Sequence, residues 1–239
     1  AKVMEFTRDG NSLINGLGEV VDLEDDYLFP LLKSSDLGNG RLEPRKSVLV
    51  TQRHTGDDTS EIQSIAPKTW DYLVRHSTIL DGRKSSIYNN RARFCVFGIG
   101  PYSFAPWKVA ISGFYKNFSF VVLPPFNEQP MMVDDTCYTI PCETEEEARL
   151  LHEALSSEAA KEFLASLVFI DSKRPITVDV LRRLSIVELV KHIGRFEDLE
   201  KLSKTGESDN EVDSQMSLLM EPKQKYRTRR CCQRDTARD

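Results

Sequence analysis

The sequence predicts an α+β fold in which a small mixed or antiparallel sheet is followed by a helical C-terminal part. Three observations support this prediction. Short apolar runs rich in valine and aromatic residues occupy the centre of the chain, where glycine and proline separate them. A helix-capping motif begins at Thr144, and apolar residues at helical spacing follow it. With 239 residues, of which 40% are hydrophobic, the chain can bury a core without disulfides or a metal.

The predicted strands lie in the first two thirds of the chain. Residues 1–32 combine turn glycines with an acidic run at 24–26, so we interpret them as a lead-in segment and not as a packed element. After this segment, short apolar runs bounded by turn residues predict five strands. These predicted strands cover residues 47–52, 93–97, 107–112, 118–123 and 137–140.

One helix is predicted between the first two of these strands. Pro67 suits the first helical position, because the missing N–H would have no partner there. Trp70, Leu73 and Val74 then share one side of the helix, which we expect to end before Gly82.

Three further helices are predicted in the C-terminal part. Residues 144–147 (TEEE) match a capping box, with acidic side chains at the positive end of the helix dipole. A second helix covers residues 160–167, and a third begins near Thr177. The end of the chain is polar and has no apolar periodicity. We therefore assign residues 33–200 to one domain and predict that residues 201–239 form a disordered tail.

Charge is strongly segregated along the chain, although the net total is only −5. Residues 33–125 carry thirteen basic and seven acidic side chains, a net charge of +6. Residues 1–32 and 126–162 are acidic, with net charges of −5 and −8. A basic block inside an acidic protein is a local electrostatic footprint of the kind that nucleic-acid binding requires. The alternative interpretation is a solvated surface with uneven charge.

Composition argues against a metal site and a membrane span. The five cysteines include no Cys-x-x-Cys pair and the four histidines are scattered, so we expect no zinc ligation. Free thiols fit a reducing cytoplasm, which is the expected location. No apolar stretch approaches the roughly 18 residues of a membrane helix, so no membrane partner is expected. The start of the chain lacks a basic segment followed by an apolar run, so we expect no signal peptide.

The glycines of residues 97–100 (FGIG) follow a predicted strand, as they do in loops that bind dinucleotides or adenosyl-methionine. Such a loop opens into a helix, and an acidic residue about 20 positions further on holds the ribose. Here Pro101 and another predicted strand follow, and the next acidic residue is Glu128. We therefore interpret the glycines as a tight turn.

Two other motifs lack the chemistry that they suggest. Residues 123–126 (LPPF) resemble a polar-Pro-Pro-aromatic loop that holds a flipped adenine, but Leu123 offers no side-chain oxygen to accept from the exocyclic amine. Asp134 and Asp135 could form a metal-binding pair in a nuclease. Adjacent strand residues point to opposite faces, and a Glu-x-Lys motif is absent nearby, which favours a turn or capping role.

The segment 84–116 interleaves basic and aromatic side chains. Lysine and arginine contact phosphates and guanine edges, whereas aromatic rings stack on bases or fill a core. Arg91 and Arg93 have the same parity in the predicted strand 93–97 and its extension, so both can project from one face. The basic residues of this segment are therefore candidates for contacts with nucleic acid.

Five blocks of residues carry a family resemblance. They are residues 27–36 (YLFPLLKSSD), 91–113 with their centre at 97–109 (FGIGPYSFAPWKV), 134–138 (DDTCY), 150–157 (LLHEALSS), and 173–177 (KRPIT) with 181–186 (LRRLSI). In this order they resemble the C-terminal specificity region of adenine-N6 DNA methyltransferases of the TaqI-like group. The order of the blocks matches across about residues 20–190.

The resemblance implies a domain that docks on double-stranded DNA, recognises its sequence and presents one adenine to a separate catalytic domain or subunit. It implies no catalytic and no metal-binding residue in this chain, and S-adenosyl-methionine is expected only in the catalytic domain. The family's catalytic and cofactor motifs are missing here. They lie upstream in a longer parent chain, or this is an isolated piece. The residues expected to contact DNA are Lys33, Lys84, Arg91, Arg93, Tyr102, Trp107 and Lys108.

Two other functions stay open at this point. A metal-dependent nuclease domain would use Asp134 and Asp135, and metal-dependent cleavage by the isolated chain would favour it. A protein-interaction module of a restriction-modification complex would dock through the acidic residues 143–147. Association with another subunit in the absence of DNA would favour that hypothesis.

Overall fold

The computed structural model describes residues 2–54, 56–88, 91–115, 118–168 and 174–205. In these ranges the chain forms two β-sheets and a set of helices, most of which follow the last strand. The predicted α+β class is therefore confirmed. The predicted tail at 201–239 lies outside the described residues except for its first five positions, which belong to a helix.

The larger sheet has six strands in the order β3-β2-β1-β5-β4-β8, and the smaller has three in the order β7-β6-β9. Only β4 and β8 pair in parallel, so the larger sheet is mixed and the smaller is antiparallel. The strands are β1 Glu5–Asp9, β2 Ser12–Asn15, β3 Val20–Val21, β4 Leu28–Leu32, β5 Lys46–Leu49, β6 Trp107–Ser112, β7 Phe120–Leu123, β8 Met132–Val133 and β9 Cys137–Cys142.

The helices fall into an early group and a late group. The early group lies between β4 and β6, and the late group follows β9. The early helices are α1 Ser34–Gly38, α2 Ile62–Ile65, α3 Pro67–Arg75 and α4 Ser77–Asp81. The late helices are α5 Glu145–Leu155, α6 Glu158–Leu167, α7 Val178–Leu181, α8 Ile186–His192 and α9 Phe196–Thr205. None of the helices in the described ranges is both long and apolar enough to cross a membrane.

The interpretation of residues 1–32 as an unpacked lead-in segment is wrong. These residues supply four strands of the larger sheet, and Phe6 and Leu13 are buried in its core. The strands were missed because they are short and one face of β1 is polar and exposed. Gly10, with a φ of 57°, turns the chain between β1 and β2 in a conformation that favours glycine.

One face of the larger sheet is covered by the early helices. Phe6 and Leu49 from the sheet pack with Ile62, Leu73 and Leu80 from α2, α3 and α4. Helix α3 begins at Pro67 as predicted, and Gly82 follows α4. The predicted apolar side of α3 was partly wrong, because Val74 is 42% exposed while Tyr72 is buried.

The smaller sheet joins the two halves of the molecule through its central strand, β6. Val109 and Ile111 face the core formed with α5, α6 and α8, while Ala110 faces Leu32 and Leu37 at the edge of the larger sheet. Both faces of β6 are therefore buried, which explains its continuous apolar run. The predicted strands 107–112, 118–123 and 137–140 are confirmed as β6, β7 and β9.

Helix α5 begins where the capping motif predicts. The Thr144 side chain accepts a hydrogen bond from the backbone N–H of Glu147, and Glu147 Oε2 accepts from the backbone N–H of Glu143 at 2.8 Å. The two bonds occupy backbone donors that the helix cannot satisfy itself. Ser157 caps α6 and Thr177 caps α7 with the first of these bonds, each side chain accepting from the backbone N–H three residues later.

We predict that Tyr72→Phe lowers the free energy of unfolding by about 1–2 kcal/mol. The Tyr72 hydroxyl donates to the Val3 carbonyl oxygen at 2.7 Å and accepts from Asn15 Nδ2 at 3.0 Å, so it ties the start of the sheet to α3. Urea unfolding measures the change. Tyr27→Phe is the matched control, because its hydroxyl makes no hydrogen bond to the described residues. Equal stability of the two variants would contradict the prediction.

Candidate nucleic-acid interface

Residues 91–100, called the irregular segment below, contain turns and bends and no strand. The predicted strand at 93–97 is therefore wrong, and Arg91 and Arg93 do not share a strand face. Phe94 adopts a φ of 67°, which is costly for a bulky residue and which no strand contains. The ring is fully buried against Trp70, at 5.5 Å between ring centroids, and this burial offsets the cost.

The irregular segment is held by side chains that follow β5. Gln52 Nε2 donates to the Val96 carbonyl oxygen at 2.6 Å, and Gln52 Oε1 accepts from the Val96 N–H at 2.9 Å. One amide side chain thus pairs with both backbone groups of Val96, as a neighbouring strand would. Thr51 Oγ1 donates to the Phe94 carbonyl oxygen at 2.9 Å. Gln52 and Thr51 are both buried, so these bonds are shielded from water.

Two further side chains, from the residue pair after α4 and from the turn before α2, donate to backbone carbonyl groups of the segment. Arg83 Nη1 donates to the Cys95 carbonyl oxygen at 2.7 Å, and the Arg83 guanidinium lies 3.8 Å from the centroid of the Tyr88 ring. The Thr59 hydroxyl donates to the Arg93 carbonyl oxygen. The segment is therefore an ordered platform although it has no regular secondary structure.

The irregular segment forms one wall of a cleft of about 710 Å³, which we call the recognition cleft. The other walls come from residues after β5, from the turn Pro101–Phe104 and from the end of β9. The side chains that give the cleft its aromatic and charged character are His54, Asp57, Tyr88, Arg91, Phe97, Tyr102, Phe104 and Glu143. Rings beside charged and polar groups suit a ligand with flat faces and hydrogen-bonding edges.

Two of the predicted DNA-contact residues are exposed and unpaired. Arg91 lines the recognition cleft, and Lys84 lies in the loop between α4 and Tyr88. Neither side chain makes an ion pair or hydrogen bond to another residue of the described ranges. Their charges are therefore available to an external anion.

Two other predicted residues already have acidic partners. Arg93 Nη2 lies 2.6 Å from Asp81 Oδ2, and the pair holds the pKa of the Asp81 carboxyl below its usual range. Lys33 Nζ lies 2.6 Å from Glu5 Oε2, which Lys46 Nζ also approaches at 3.5 Å. Surface pairs of this kind exchange readily with other ions, but they reduce the net charge offered to DNA.

Lys108 is buried, so the prediction that its side chain contacts DNA is wrong. Its side chain is 2% exposed, because Lys108 belongs to the face of β6 that points towards the larger sheet. The ammonium donates to the Ala105 carbonyl oxygen at 2.6 Å, and burial lowers its pKa to about 8. The alternation of the sequence cannot reveal this burial, since both faces of β6 are covered.

The two predicted aromatic residues have different positions. Tyr102 lines the recognition cleft, and its hydroxyl donates to the Gly98 carbonyl oxygen at 2.5 Å. Trp107 packs against the core beneath α5 and is partly buried. The structure therefore brings Arg91 and Tyr102 together in one cleft and leaves Lys33, Trp107 and Lys108 outside it.

Sequence reasoning missed two residues at this site. Gln52 ends the strand predicted at 47–52, but in the structure it follows β5 and its buried amide orients the irregular segment. Arg53 is exposed, and its guanidinium lies 4.7 Å from the centroid of the Phe104 ring. The sequence shows that Gln52 and Arg53 are polar and follow a predicted strand, but it does not show which groups they contact.

The glycines of the irregular segment lie in turns and not at the start of a long helix. Gly98 has a φ of 76° in a turn, and Gly100 precedes the short 3-10 turn Pro101–Phe104, after which β6 begins. No helix of useful length opens here, so the backbone N–H groups are not aligned as a phosphate site requires. The interpretation of these glycines as a turn is confirmed.

Asp134 has a structural role of the kind that the sequence favoured. Oδ1 accepts from the Thr136 N–H at 3.1 Å, and Oδ2 accepts from the Ser34 N–H at 3.3 Å. Its carboxylate therefore links the turn before β9 to the start of α1. Among the described residues, no three His, Cys, Asp or Glu side chains come close enough together to hold a metal ion.

Fold and site together define an α+β module with an aromatic cleft that carries charged side chains of both signs. No protein-family model matches the chain. Over 194 residues, or 81% of this chain, it is 45% identical to the Type II methyltransferase M.NspV of Nostoc sp.. This similarity relates the chain to part of a Type II methyltransferase. The chain spans 40% of the length of that relative.

We predict that Gln52→Ala lowers the free energy of unfolding by about 1–3 kcal/mol, because both backbone groups of Val96 lose their partner. The Val96 amide should also lose its protection from hydrogen exchange. Gln63→Ala, which truncates an exposed glutamine of α2, is the control and should change neither quantity. Unchanged protection at Val96 in the Gln52 variant would show that the pairing does not hold the segment.

We predict that Lys108→Met raises the free energy of unfolding at pH 7 by about 1–3 kcal/mol, since one pKa unit corresponds to about 1.4 kcal/mol. The folded-state pKa of about 8 lies below the ordinary 10.5. The folded protein therefore binds fewer protons than the unfolded chain between these pH values, and the contribution of Lys108 to stability rises with pH across that window.

Urea unfolding at pH 7, 8, 9 and 10 measures this effect as the difference between the wild type and the variant. The advantage of Lys108→Met should shrink as the pH rises. Lys84→Met, at an exposed position, is the control for the loss of one charge. A difference that stays constant with pH would rule out a buried ammonium as its cause.

Proposed function

We propose that this chain is the DNA-recognition part of an adenine-N6 DNA methyltransferase of a restriction-modification system, acting in the cytoplasm on double-stranded DNA. The observation that carries the proposal is the recognition cleft, in which unpaired Arg91 stands beside aromatic rings on an ordered platform. The similarity to a Type II methyltransferase supports the same conclusion at a coarser level. Adenine as the target rests on the family resemblance alone.

The charges around the cleft support a contact with nucleic acid. Arg91 and Lys84 are exposed without partners in the described ranges, and Arg53 lies over the ring of Phe104, which lines the cleft. Lysine and arginine bound to phosphates release counterions and supply affinity, whereas arginine and aromatic side chains inside a groove supply recognition of bases. We assign Lys84 to the first role, and Arg91 with Tyr102 to the second.

The methyl transfer itself is assigned to a domain or subunit other than this chain. The turn at Gly98 and Gly100 leads into a strand, which does not suit S-adenosyl-methionine. Leu123, where a base-holding loop needs a polar residue, is fully buried at the end of β7. The proposed cofactor therefore binds to the catalytic part, and the proposed partners of this chain are duplex DNA and that catalytic part.

We expect the whole chain to bind duplex DNA at low salt, with a log affinity that falls against log salt by about 0.9 per phosphate contact. Arg91→Ala should weaken binding. If Arg91 contacts a phosphate, the slope flattens by about one unit on every sequence. If it reads a base, the loss is about 1–3 kcal/mol on the preferred sequence only. Fluorescence anisotropy across a salt series measures both quantities.

Arg75→Ala is the matched control. Arg75 is exposed at the end of α3 and does not line the recognition cleft, and its charge has no ion-pair partner in the described ranges. This variant should bind as the wild type does. Absence of DNA binding at low salt would refute the proposed function. So would binding that survives replacement of Lys33, Lys84, Arg91 and Arg93 together.

A further inference from the structure

A carboxylate stands in the recognition cleft without an internal partner. Glu143 lines the cleft together with Arg91, and its side chain is exposed. Within the described ranges it accepts no hydrogen bond and makes no ion pair. The other acids near it are occupied: Asp57 accepts from the N–H groups of Arg53 and His54 at 2.9 and 2.7 Å.

The acidic side chains of residues 143–147 have different contacts. Glu145 pairs with Arg149 at 2.5 Å, and Glu147 accepts from the Glu143 N–H. Glu146 lines a separate depression on the side of α5 that holds Arg149. Glu143 is therefore the member of the run that lines the recognition cleft.

The backbone of Glu143 is held in place from both sides. Cys142 before it is the last residue of β9 and lies opposite Trp107 of β6, while Thr144 after it caps α5. The bond from its own N–H to Glu147 adds a third restraint. Because the backbone is fixed, binding has to restrict only the side-chain rotamers of Glu143, which favours recognition of one hydrogen-bonding group.

A free carboxylate on a surface that binds DNA has an electrostatic cost, because it repels phosphates. The cost is offset where the carboxylate accepts a hydrogen bond from a base. At neutral pH a carboxylate only accepts, and the groups that donate in the major groove are the exocyclic amines N4 of cytosine and N6 of adenine. Guanine and thymine present acceptor atoms at the same edge. These atoms carry partial negative charge, so the carboxylate would repel them.

We propose that Glu143 is a specificity-determining residue that reads the exocyclic amino group of a cytosine or adenine in the recognised duplex. This inference rests on the proposed function and adds the chemical class of base edge that one side of the cleft selects. Arg91 on the same cleft supplies donors for acceptor edges. The cleft thus presents an acceptor and a donor to neighbouring positions of one DNA site.

The test is a selection with the whole chain on duplexes that contain a central block of random base pairs, followed by sequencing of the bound fraction. The wild type should enrich cytosine or adenine at one position, and the enriched base identifies which amine is read. Glu143→Ala should lose that preference by roughly 5- to 150-fold while it keeps the preferences at the other positions. Glu146→Ala removes the same charge nearby and should keep every preference.

The outcomes separate the inference from the proposed function. If Glu143→Ala binds all sequences more tightly with unchanged preferences, the carboxylate only repels phosphates and the inference is wrong. Unchanged affinity and unchanged preferences would overturn it as well. If the wild type enriches no sequence at low salt, the proposed function fails first. Glu143→Gln keeps the side-chain shape and should move the preference towards adenine, since an amide pairs with N6 and N7 of that base. It keeps the test decisive if the alanine variant does not fold.

Discussion

The recognition cleft depends on the pairing of Gln52 with Val96. A segment without strand or helix must place its backbone N–H and carbonyl groups somewhere, and buried groups without partners cost about 1–3 kcal/mol each. Gln52 satisfies two of them at once with bonds of 2.6 and 2.9 Å. The same pairing fixes the position of Arg91 and Phe97 on the cleft wall. An ordered wall with free side chains favours the binding of a ligand. A mobile wall would lose conformational entropy when it binds, and this loss would lower the affinity.

A second constraint is the burial of β6 on both faces. This strand connects the core under α5 with the core shared by the larger sheet, so the two sheets form one body. The arrangement leaves no solvent-facing side for Lys108, whose ammonium is buried with one carbonyl acceptor. Burial at this place costs stability and lowers the pKa of the amine to about 8. A lysine in a strand sequence is thus no guarantee of surface charge.

Whether a charged residue can meet DNA depends on its partners in the fold more than on its place in the basic block. Arg93 is held by Asp81 and Lys33 by Glu5, whereas Arg91 keeps its charge free. The acidic residues divide in the same way, since Asp134 has structural partners and Glu143 has none in the described ranges. Free groups of both signs around one cleft support a surface that discriminates between base edges.

The sequence by itself determined the α+β class, the strands β6, β7 and β9, and the starts of α3, α5 and α7. These features depend on local signals: apolar runs between turn residues, Pro67 at a first helical turn, and the caps at Thr144 and Thr177. It also indicated that Gly98 and Gly100 form a turn, because Pro101 and a further predicted strand follow them and not the long helix of a cofactor loop. The family resemblance and the basic central block likewise required no coordinates.

Only the tertiary structure decided the roles of particular side chains. The pairing of Gln52 with Val96 joins residues 44 positions apart, and the strands within residues 1–32 are stabilised by a sheet whose other members come later in the chain. The burial of Lys108 and the pairing of Arg93 with Asp81 are likewise contacts between separate elements. Local sequence patterns predict whether a residue lies on the buried or the exposed face of an element, but they do not predict which distant residue it contacts. Long-range packing makes that choice, and it also decides which charged groups stay free at the surface.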